Sequence, residues 1–322
     1  MSEETIEKTF QVADPARLII SNIRGSIIIE VGEAGVIEVK AVKHDNFNSD
    51  RFTVEMSQAD DGTVRVETRS TESWFGFMSH PPKVDYTVRV PQGTDLKVSC
   101  VSSTLNVSGL EGVFKFKTVS GDMHLEKLTG SFKFGAVSGD ITGSHLAGSL
   151  DLNTVSGRVS LTDSTFPSAD VSTVSGGLIL QTPVSDGPYQ FNSVSGSVRM
   201  LVPADTHCNV ELHSVSGNIR SSLPATATKS GHGLKETQIQ GGGTLLRLKS
   251  VSGGVSIEAE GMPATSVRAA EPAAAEPVPP VPPVESVHPG SDASPSTSEI
   301  LQRIERGELT VEEALKLMKG QP

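Results

Sequence analysis

A repeated Val-Ser-Gly triplet constrains the fold of this chain more than any other feature. Seven copies with matching flanks run from Val119 to Val251, and an imperfect copy begins at Val101. Counted from Val101, successive copies lie 18, 18, 18, 19, 20, 21 and then 36 residues apart. Self-similarity at such a period is typical of solenoids, in which each repeat forms one coil of a stack. The long last interval predicts either a degenerate coil or an inserted loop around 231–243.

Apolar residues flank each triplet at fixed offsets, five and three positions before the valine and four and six after it. Around Val119 these residues are Phe114, Phe116, Met123 and Leu125. Each flank alternates with period two, as a strand with one buried face does. The two inner positions are an odd number of residues apart, so the chain must bend at the triplet. Glycine suits the bend because it accepts positive φ and close backbone approach. The predicted corner residues are Gly121, Gly139, Gly157, Gly176, Gly196, Gly217 and Gly253.

The same spacing appears near the N-terminus, where Leu18, Ile20, Ile27 and Ile29 flank Gly25. We therefore predict an all-β fold, a single parallel β-solenoid of 18–21-residue coils over 91–260. Residues 1–90 are predicted to form an N-terminal β cap and first coil, since an open end would present unpaired strand edges.

The composition changes after residue 260. Nine prolines among Ala, Glu and Ser predict a disordered linker over 261–297. Residues 298–322 return to a helical period, with Thr310 and Glu313 as a capping box, and predict a short helical hairpin. Its apolar stripe gives a set of candidate partner-binding residues for a protein partner or a second copy. They are Ile300, Leu301, Ile304 and Leu315.

Charge and composition exclude several classes of function. A net charge of −11 argues against nucleic acid, whose binding requires clustered Lys and Arg. The acidic start of the chain does not resemble a secretory signal, and no apolar run approaches the roughly 18 residues of a membrane span. We predict a cytoplasmic protein without a membrane span, which could associate peripherally with the cell envelope. Cys100 and Cys208 lie five to six repeats apart, too far for a disulfide.

No catalytic, cofactor-binding or metal-binding residue is predicted, and we expect that the protein is not an enzyme. No His or acid recurs at a fixed offset from the repeated serines, as an activating base would. The repeated serines are therefore interpreted as a structural ladder. The eight histidines lack the short spacings of a zinc site. Asp122 and Asp140 occupy equivalent positions in successive repeats and could pair around a calcium ion, but Arg158 takes that position in the next repeat, which argues against a calcium site.

One aromatic cluster interrupts this aromatic-poor sequence. Trp74, Phe75 and Phe77 lie close together between predicted strands. Two interpretations are open: an exposed loop that contacts a partner, or a buried plug against the N-terminal cap.

The repeated Thr/Ser-Val-Ser-Gly-x-apolar-x-apolar motif, with the lead-in Val90-Pro91-x-Gly93-Thr94, resembles the bacterial "putative adhesin" family of β-strand-repeat proteins, a domain of unknown function. The pattern from Ile300 to Leu315 is similar to the SHOCT-like hairpin of cell-envelope stress proteins. These resemblances imply a non-enzymatic, adhesin-like scaffold for protein or envelope contacts, with a role in envelope stress. Two alternatives are a carbohydrate-binding or carbohydrate-active solenoid and a bactofilin-like filament. A groove that gathers two carboxylates beside a His, Lys or Arg would favour the carbohydrate alternative.

Overall fold

The computed structural model describes residues 3–44, 52–70, 83–185, 187–231 and 233–260. Every regular element in these ranges is a β-strand, which confirms the predicted all-β solenoid, and none of them is a helix that could cross a membrane. The predicted linker and hairpin lie outside the described residues. The strands are β1 (Glu3–Gln11), β2 (Ala16–Val31), β3 (Val36–His44), β4 (Phe52–Gln58), β5 (Val64–Ser70), β6 (Lys83–Val90), β7 (Thr94–Ser108), β8 (Glu111–Thr118), β9 (Met123–Glu126), β10 (Thr129–Ser138), β11 (Ile141–Ser144), β12 (Ala147–Ser156), β13 (Val159–Thr162), β14 (Thr165–Ser175), β15 (Leu178–Gln181), β16 (Tyr189–Ser193), β17 (Val198–Val202), β18 (Cys208–Ser214), β19 (Ile219–Ser221), β20 (Ala225–Gly231), β21 (Leu234–Ile239), β22 (Thr244–Ser250) and β23 (Val255–Ala259).

Each regular coil contributes one strand to each of two faces, because the chain bends at the triplet. Strands β8, β10, β12, β14 and β16 pair in parallel and form face A. Strands β9, β11, β13, β15 and β17 pair in parallel and form face B. The long strands β2 and β7 run through the bend, and their two halves join face A and face B respectively. The register joins equivalent residues of successive repeats, for example Phe116 with Phe134.

The core lies between the two faces and is built from identical or similar side chains stacked one coil apart. The rings of Phe114 and Phe132 stack with centroids 5.6 Å apart, and Phe116 stacks on Phe134 at 5.5 Å. Phe166 meets Phe132 edge to face at 6.2 Å. All five rings are fully buried. Offset-stacked and edge-to-face arrangements are those that aromatic quadrupoles favour.

The order of coils in space differs from their order in the sequence at both ends of the stack. Near the N-terminus, β2 lies between β7 and the coil formed by β5 and β6. Near the C-terminus, β22 and β23 lie between the coil of β16 and β17 and that of β18 and β19. Successive repeats therefore stack in sequence order from β7 to β17, and this order changes beyond these strands.

An antiparallel hairpin explains both the crossover near the C-terminus and the 36-residue interval. Strands β20 and β21 pair with each other, and β21 also pairs antiparallel with the outer edge of β18. The inserted segment is thus a hairpin and not a degenerate coil. Because β21 occupies that edge, β22 pairs with the inner edge of β18 instead. The coil of β18 and β19 consequently lies outside the coil of β22 and β23, although it comes earlier in the sequence.

The N-terminal end is also closed by antiparallel strands. On the face B side β3 pairs with β6 and β1 with β3, and on the face A side β4 pairs with β5. Side chains join the two groups, since Lys8 Nζ donates to the Met56 carbonyl at 2.8 Å and Gln58 Nε2 to the Gln11 carbonyl at 2.7 Å. Such coverage protects the parallel edges from pairing with other chains.

The coil order also changes the expected separation of the two cysteines. Cys100 lies in β7 and Cys208 in β18, and both thiols are free and buried. Seven strand steps separate them in space, about 34 Å at the usual strand spacing of about 4.8 Å, instead of the five to six repeats expected from the sequence.

Candidate functional site

The seven predicted corner glycines form one stacked column. At each of them a Cβ atom would overlap a backbone carbonyl of the neighbouring coil, for example Gly121 O at Gly139 and Gly253 O at Gly217. Gly157 is the one of the seven with positive φ, at 138°. Close backbone approach is therefore what requires glycine throughout the column, and left-handed geometry adds a second requirement at Gly157 alone.

A hydroxyl before the triplet completes several corners. The Thr118 hydroxyl accepts a hydrogen bond from the Gly121 amide at 3.0 Å, and Ser250 does the same for Gly253 at 2.6 Å. The serine within the triplet takes no such part, since the Ser195 hydroxyl donates to the Val174 carbonyl at 3.4 Å. The repeated hydroxyls thus satisfy backbone groups at a crowded bend.

Sequence reasoning missed a second glycine column at the opposite corner. Gly112, Gly130 and Gly148 have φ between 141° and 148°, and a Cβ at Gly130 or Gly148 would overlap the carbonyl of the glycine one coil before. The signal was present as Leu-x-Gly, which begins at Leu110 and recurs 18 and 36 residues later. It is hidden because the motif is absent from the later repeats.

A polar groove crosses face B over β2, β7, β9, β11 and β13, with a volume of about 420 Å³. Parallel in-register pairing lines it with two rows of outward side chains, one residue from each strand. The first row is Ile28, Asn106, His124, Thr142 and Ser160, and the second is Glu30, Ser108, Glu126, Ser144 and Thr162.

This groove brings the Glu30 carboxylate near the Glu126 carboxylate and the His124 imidazole, which lie on one strand far from Glu30 in sequence. Glu30 follows Ile29, which pairs with Val107, and Glu126 pairs with Ser108. The two carboxylates therefore lie two strand steps apart, about 10 Å between backbones, and His124 lies in the adjacent row. The His124 ring nitrogen Nδ1 lies 2.6 Å from the Thr142 hydroxyl. A hydrogen bond from Lys127, 2.8 Å from Glu126, lowers the pKa of the Glu126 carboxyl, which favours its ionised form.

The groove offers hydroxyl, amide, imidazole and carboxylate groups, a set that hydrogen-bonds a polyhydroxylated ligand. It offers no aromatic platform: within the part of the chain that the structure describes, every Phe and Tyr is buried. The same ranges hold no cluster of three or more His, Cys, Asp or Glu that could bind a metal ion. Glu30, Glu126 and His124 were not predicted as a site, because only the coil stacking brings Glu30 near the other two.

The other residues considered in the sequence analysis either have a structural role or lie outside the described residues. The Asp122 carboxylate accepts from the Asp140 amide at 3.0 Å, and Asp140 accepts from the Arg158 amide at 2.7 Å, so this column ties successive coils together. The partner-contact candidates fall in segments that the structure does not describe. They are Trp74, Phe75, Phe77, Ile300, Leu301, Ile304 and Leu315.

The fold places the protein among the β-solenoids built from short in-register repeats. More specifically, the chain belongs to the family described as Toastrack DUF4097, whose model matches residues 17–258. The match extends from the start of β2 to the end of β23 and so includes both coils that are out of sequence order. No curated protein is a match in sequence.

Several solved structures resemble this chain. A "putative adhesin" from Parabacteroides distasonis is 14% identical, with a TM-score of 0.48 over 79% of this chain and 97% of that one. One from Parabacteroides merdae is 13% identical, with a TM-score of 0.39 over 79% and 96%. One from Bacteroides fragilis is 12% identical, with a TM-score of 0.39 over 80% and 98%.

Proposed function

We propose that this protein is a non-enzymatic, adhesin-like scaffold whose solenoid faces mediate protein or cell-envelope contacts. The observation that supports it is the continuous surface of face A. Face A continues beyond the regular coils, through β7, β2 and β5 at one end and through β22 and β18 at the other. Its ten parallel strands present outward side chains in in-register rows over about 43 Å. A long, regular surface of this kind suits contact with a macromolecule, whose interface extends over many residues.

The 298–322 segment has a separate role in this proposal. Its apolar stripe recruits a protein partner, and its SHOCT-like pattern is the reason to assign the protein to envelope stress. Both assignments rest on sequence, as do the cytoplasmic location and the filament alternative.

Co-sedimentation with bacterial envelope fractions tests the scaffold function. The full chain and a chain that ends at residue 297 are mixed with envelope preparations that are untreated, protease-treated or digested with a muramidase. We expect the full chain to sediment with untreated envelope, to lose binding after protease treatment, and to bind less when residues 298–322 are removed. A chain that stays in the supernatant at every concentration would contradict the proposal.

A second candidate function, carbohydrate binding, is favoured by one observation, the groove with Glu30, Glu126 and His124. The groove meets the condition of two carboxylates beside a histidine and provides hydroxyls in rows. The buried aromatic rings weigh against it, since many sugar sites stack a ring on the ligand.

A glycan array with the full chain tests the carbohydrate function. Glycan binding that falls at least tenfold in His124→Ala and is unchanged in Arg158→Ala, which alters an exposed side chain outside the groove, would support it. Hydrolysis of a bound glycan that disappears in Glu126→Gln would instead show a carbohydrate-active protein and overturn the non-enzymatic proposal.

A further inference from the structure

The charges on face A are sorted along the solenoid axis. One row of outward side chains runs through the middle of this face, one residue per strand, and we call it the central row. In spatial order from β5 to β18 it consists of Arg65, Ile19, Lys97, Lys115, Lys133, Asp151, Asp170, Gln190, Arg247 and Glu211. Three lysines are therefore followed directly by two aspartates.

This sorting is unfavourable within one copy. Side chains opposite each other in adjacent strands are close neighbours, and like charges at such positions destabilise a sheet. Lys133 and Asp151, where the sign changes, form an ion pair at 2.5 Å. Within the described ranges no ion pair joins Lys97, Lys115 or Asp170 to another side chain. An alternating arrangement would have paired these charges inside the molecule.

We propose that face A is an isologous interface, on which a second copy of this chain packs with its solenoid axis antiparallel to the first. The twofold axis runs parallel to the strands and passes between β10 and β12. A rotation about this axis turns face A onto face A and places the central row on its own copy. Lys133 then faces Asp151 of the second copy, Lys115 faces Asp170, and Lys97 faces Gln190. Further out, Ile19 faces Arg247 and Arg65 faces Glu211.

The charges select this register among its neighbours. An axis between β8 and β10 would place Lys115 against Lys133, and one between β12 and β14 would place Asp151 against Asp170. An axis through β10 or β12 would place Lys133 or Asp151 against itself. The axis between β10 and β12 is the one of these five that sets no like charges opposite each other in the central row. Like-charge contacts across an interface cost affinity and exclude wrong registers.

The next row of face A agrees with the same axis, although it was not used to choose it. In this row Gly135 would face Asn153, Lys117 would face Ser172, and Glu67 would face His213. These pairs join a small residue to an amide, a cation to a hydroxyl and an anion to an imidazole. Exposed polar faces of about 43 Å by 20 Å would cover on the order of 800 Å² per copy, the size of a standard specific interface.

Sedimentation of the full chain with charge-reversal variants tests the proposal. Lys115→Asp creates two like-charge contacts per dimer, because each contact occurs twice, and so does Asp170→Lys. Each single variant should weaken dimerisation at least about tenfold. The double variant Lys115→Asp/Asp170→Lys restores opposite charges and should regain most of the lost affinity. The matched control Lys115→Asp/Asp151→Lys has the same net charge but sets the cation introduced at position 151 against Lys133, and it should stay weak.

Salt gives a second measurement on the unmodified protein. The dimer should dissociate between about 0.01 M and about 1 M salt, as the Debye length falls from about 30 Å to about 3 Å. A chain that remains monomeric at low salt would overturn the proposal. Self-association that neither salt nor any of the four variants changes would also overturn it, because the 298–322 segment alone would give that result. So would equal recovery by the rescue and control double variants. Thermal midpoints equal to that of the unmodified chain would show that the variants fold.

Discussion

The same Val-Ser-Gly corner is built differently in the two halves of the solenoid. In the coils of β8 and β10 the corner valines point away from solvent, with Val119 2% and Val137 1% exposed. In the later coils they are on the surface, where Val174 is 44% and Val215 is 84% exposed. The difference shows that the glycine of the motif determines how the coils stack. The direction in which the valine side chain points depends on the local backbone instead.

The exposed valines also show how coil order creates a surface. In space the sequence of corners is Val174, Val194, Val251 and Val215, joined by hydrogen bonds from each following serine amide to the valine carbonyl. The stack makes an apolar ridge from residues that the sequence separates by the β20–β21 hairpin. The earlier half has no such ridge because its valines are buried.

The largest expected effect contrasts the cores of the two halves. Phe132→Ala should destabilise the protein by about 3–5 kcal/mol, because it removes a buried ring that stacks on Phe114 and meets Phe166 edge to face. Phe191→Ala in the later half removes a ring that is equally buried but stacks on no other described ring, and should cost about 1 kcal/mol less. Urea unfolding measures both. A larger loss for Phe191→Ala would show that ring stacking does not distinguish the halves.

The next effect lies at the junction, where the valines change direction. Gly157→Val should cost more than about 1 kcal/mol and up to about 3, because φ is positive there and a Cβ would overlap the Gly139 carbonyl. Arg158→Ala trims an exposed side chain and should change stability by less than about 0.5 kcal/mol. If the two variants shifted the thermal midpoint equally, the conclusion that close backbone approach requires glycine at this corner would be wrong.

The corner valines themselves provide the direct comparison. Val137→Ala removes two buried methyl groups and should cost about 1.5 kcal/mol, whereas Val215→Ala should be neutral within about 0.5 kcal/mol. Chemical unfolding of the two variants measures the difference. Equal losses would mean that Val215 is covered in solution, which would indicate a partner on the ridge.

The features that recur in every repeat could be predicted from the sequence. The features that arise where the repeat is interrupted could not. The period of Val119, Val137 and Val155 specifies the bend, the stacking and the inward Phe and Leu residues, because each is a local property of one coil. The crossover was not predictable, because it depends on β21, which occupies the outer edge of β18 while the last repeat stacks on the coil of Val194. The groove was not predicted for a similar reason, since the first coil, formed by β2, stacks on β7 and places Glu30 two strand steps from Glu126.

The smallest expected effect concerns the two buried thiols, one in each half. Burial raises the pKa of Cys100 to about 12 and that of Cys208 to about 11, so almost no reactive thiolate exists near neutral pH. Alkylation of the native chain at pH 8 should therefore be far slower than alkylation in urea, and it should follow local opening of the stack.

The two sites should still differ in rate. Cys208 begins a strand of the outermost coil at the C-terminal end, covered there by the β20–β21 hairpin, whereas Cys100 lies in β7 with coils on both sides. Fewer contacts must break to open the outer coil, so Cys208 should be labelled several times faster, as measured by mass spectrometry of the two peptides. Faster labelling of Cys100 would mean that the stack opens from its N-terminal half. The β20–β21 hairpin would then stabilise its end of the stack more than the N-terminal antiparallel strands stabilise theirs.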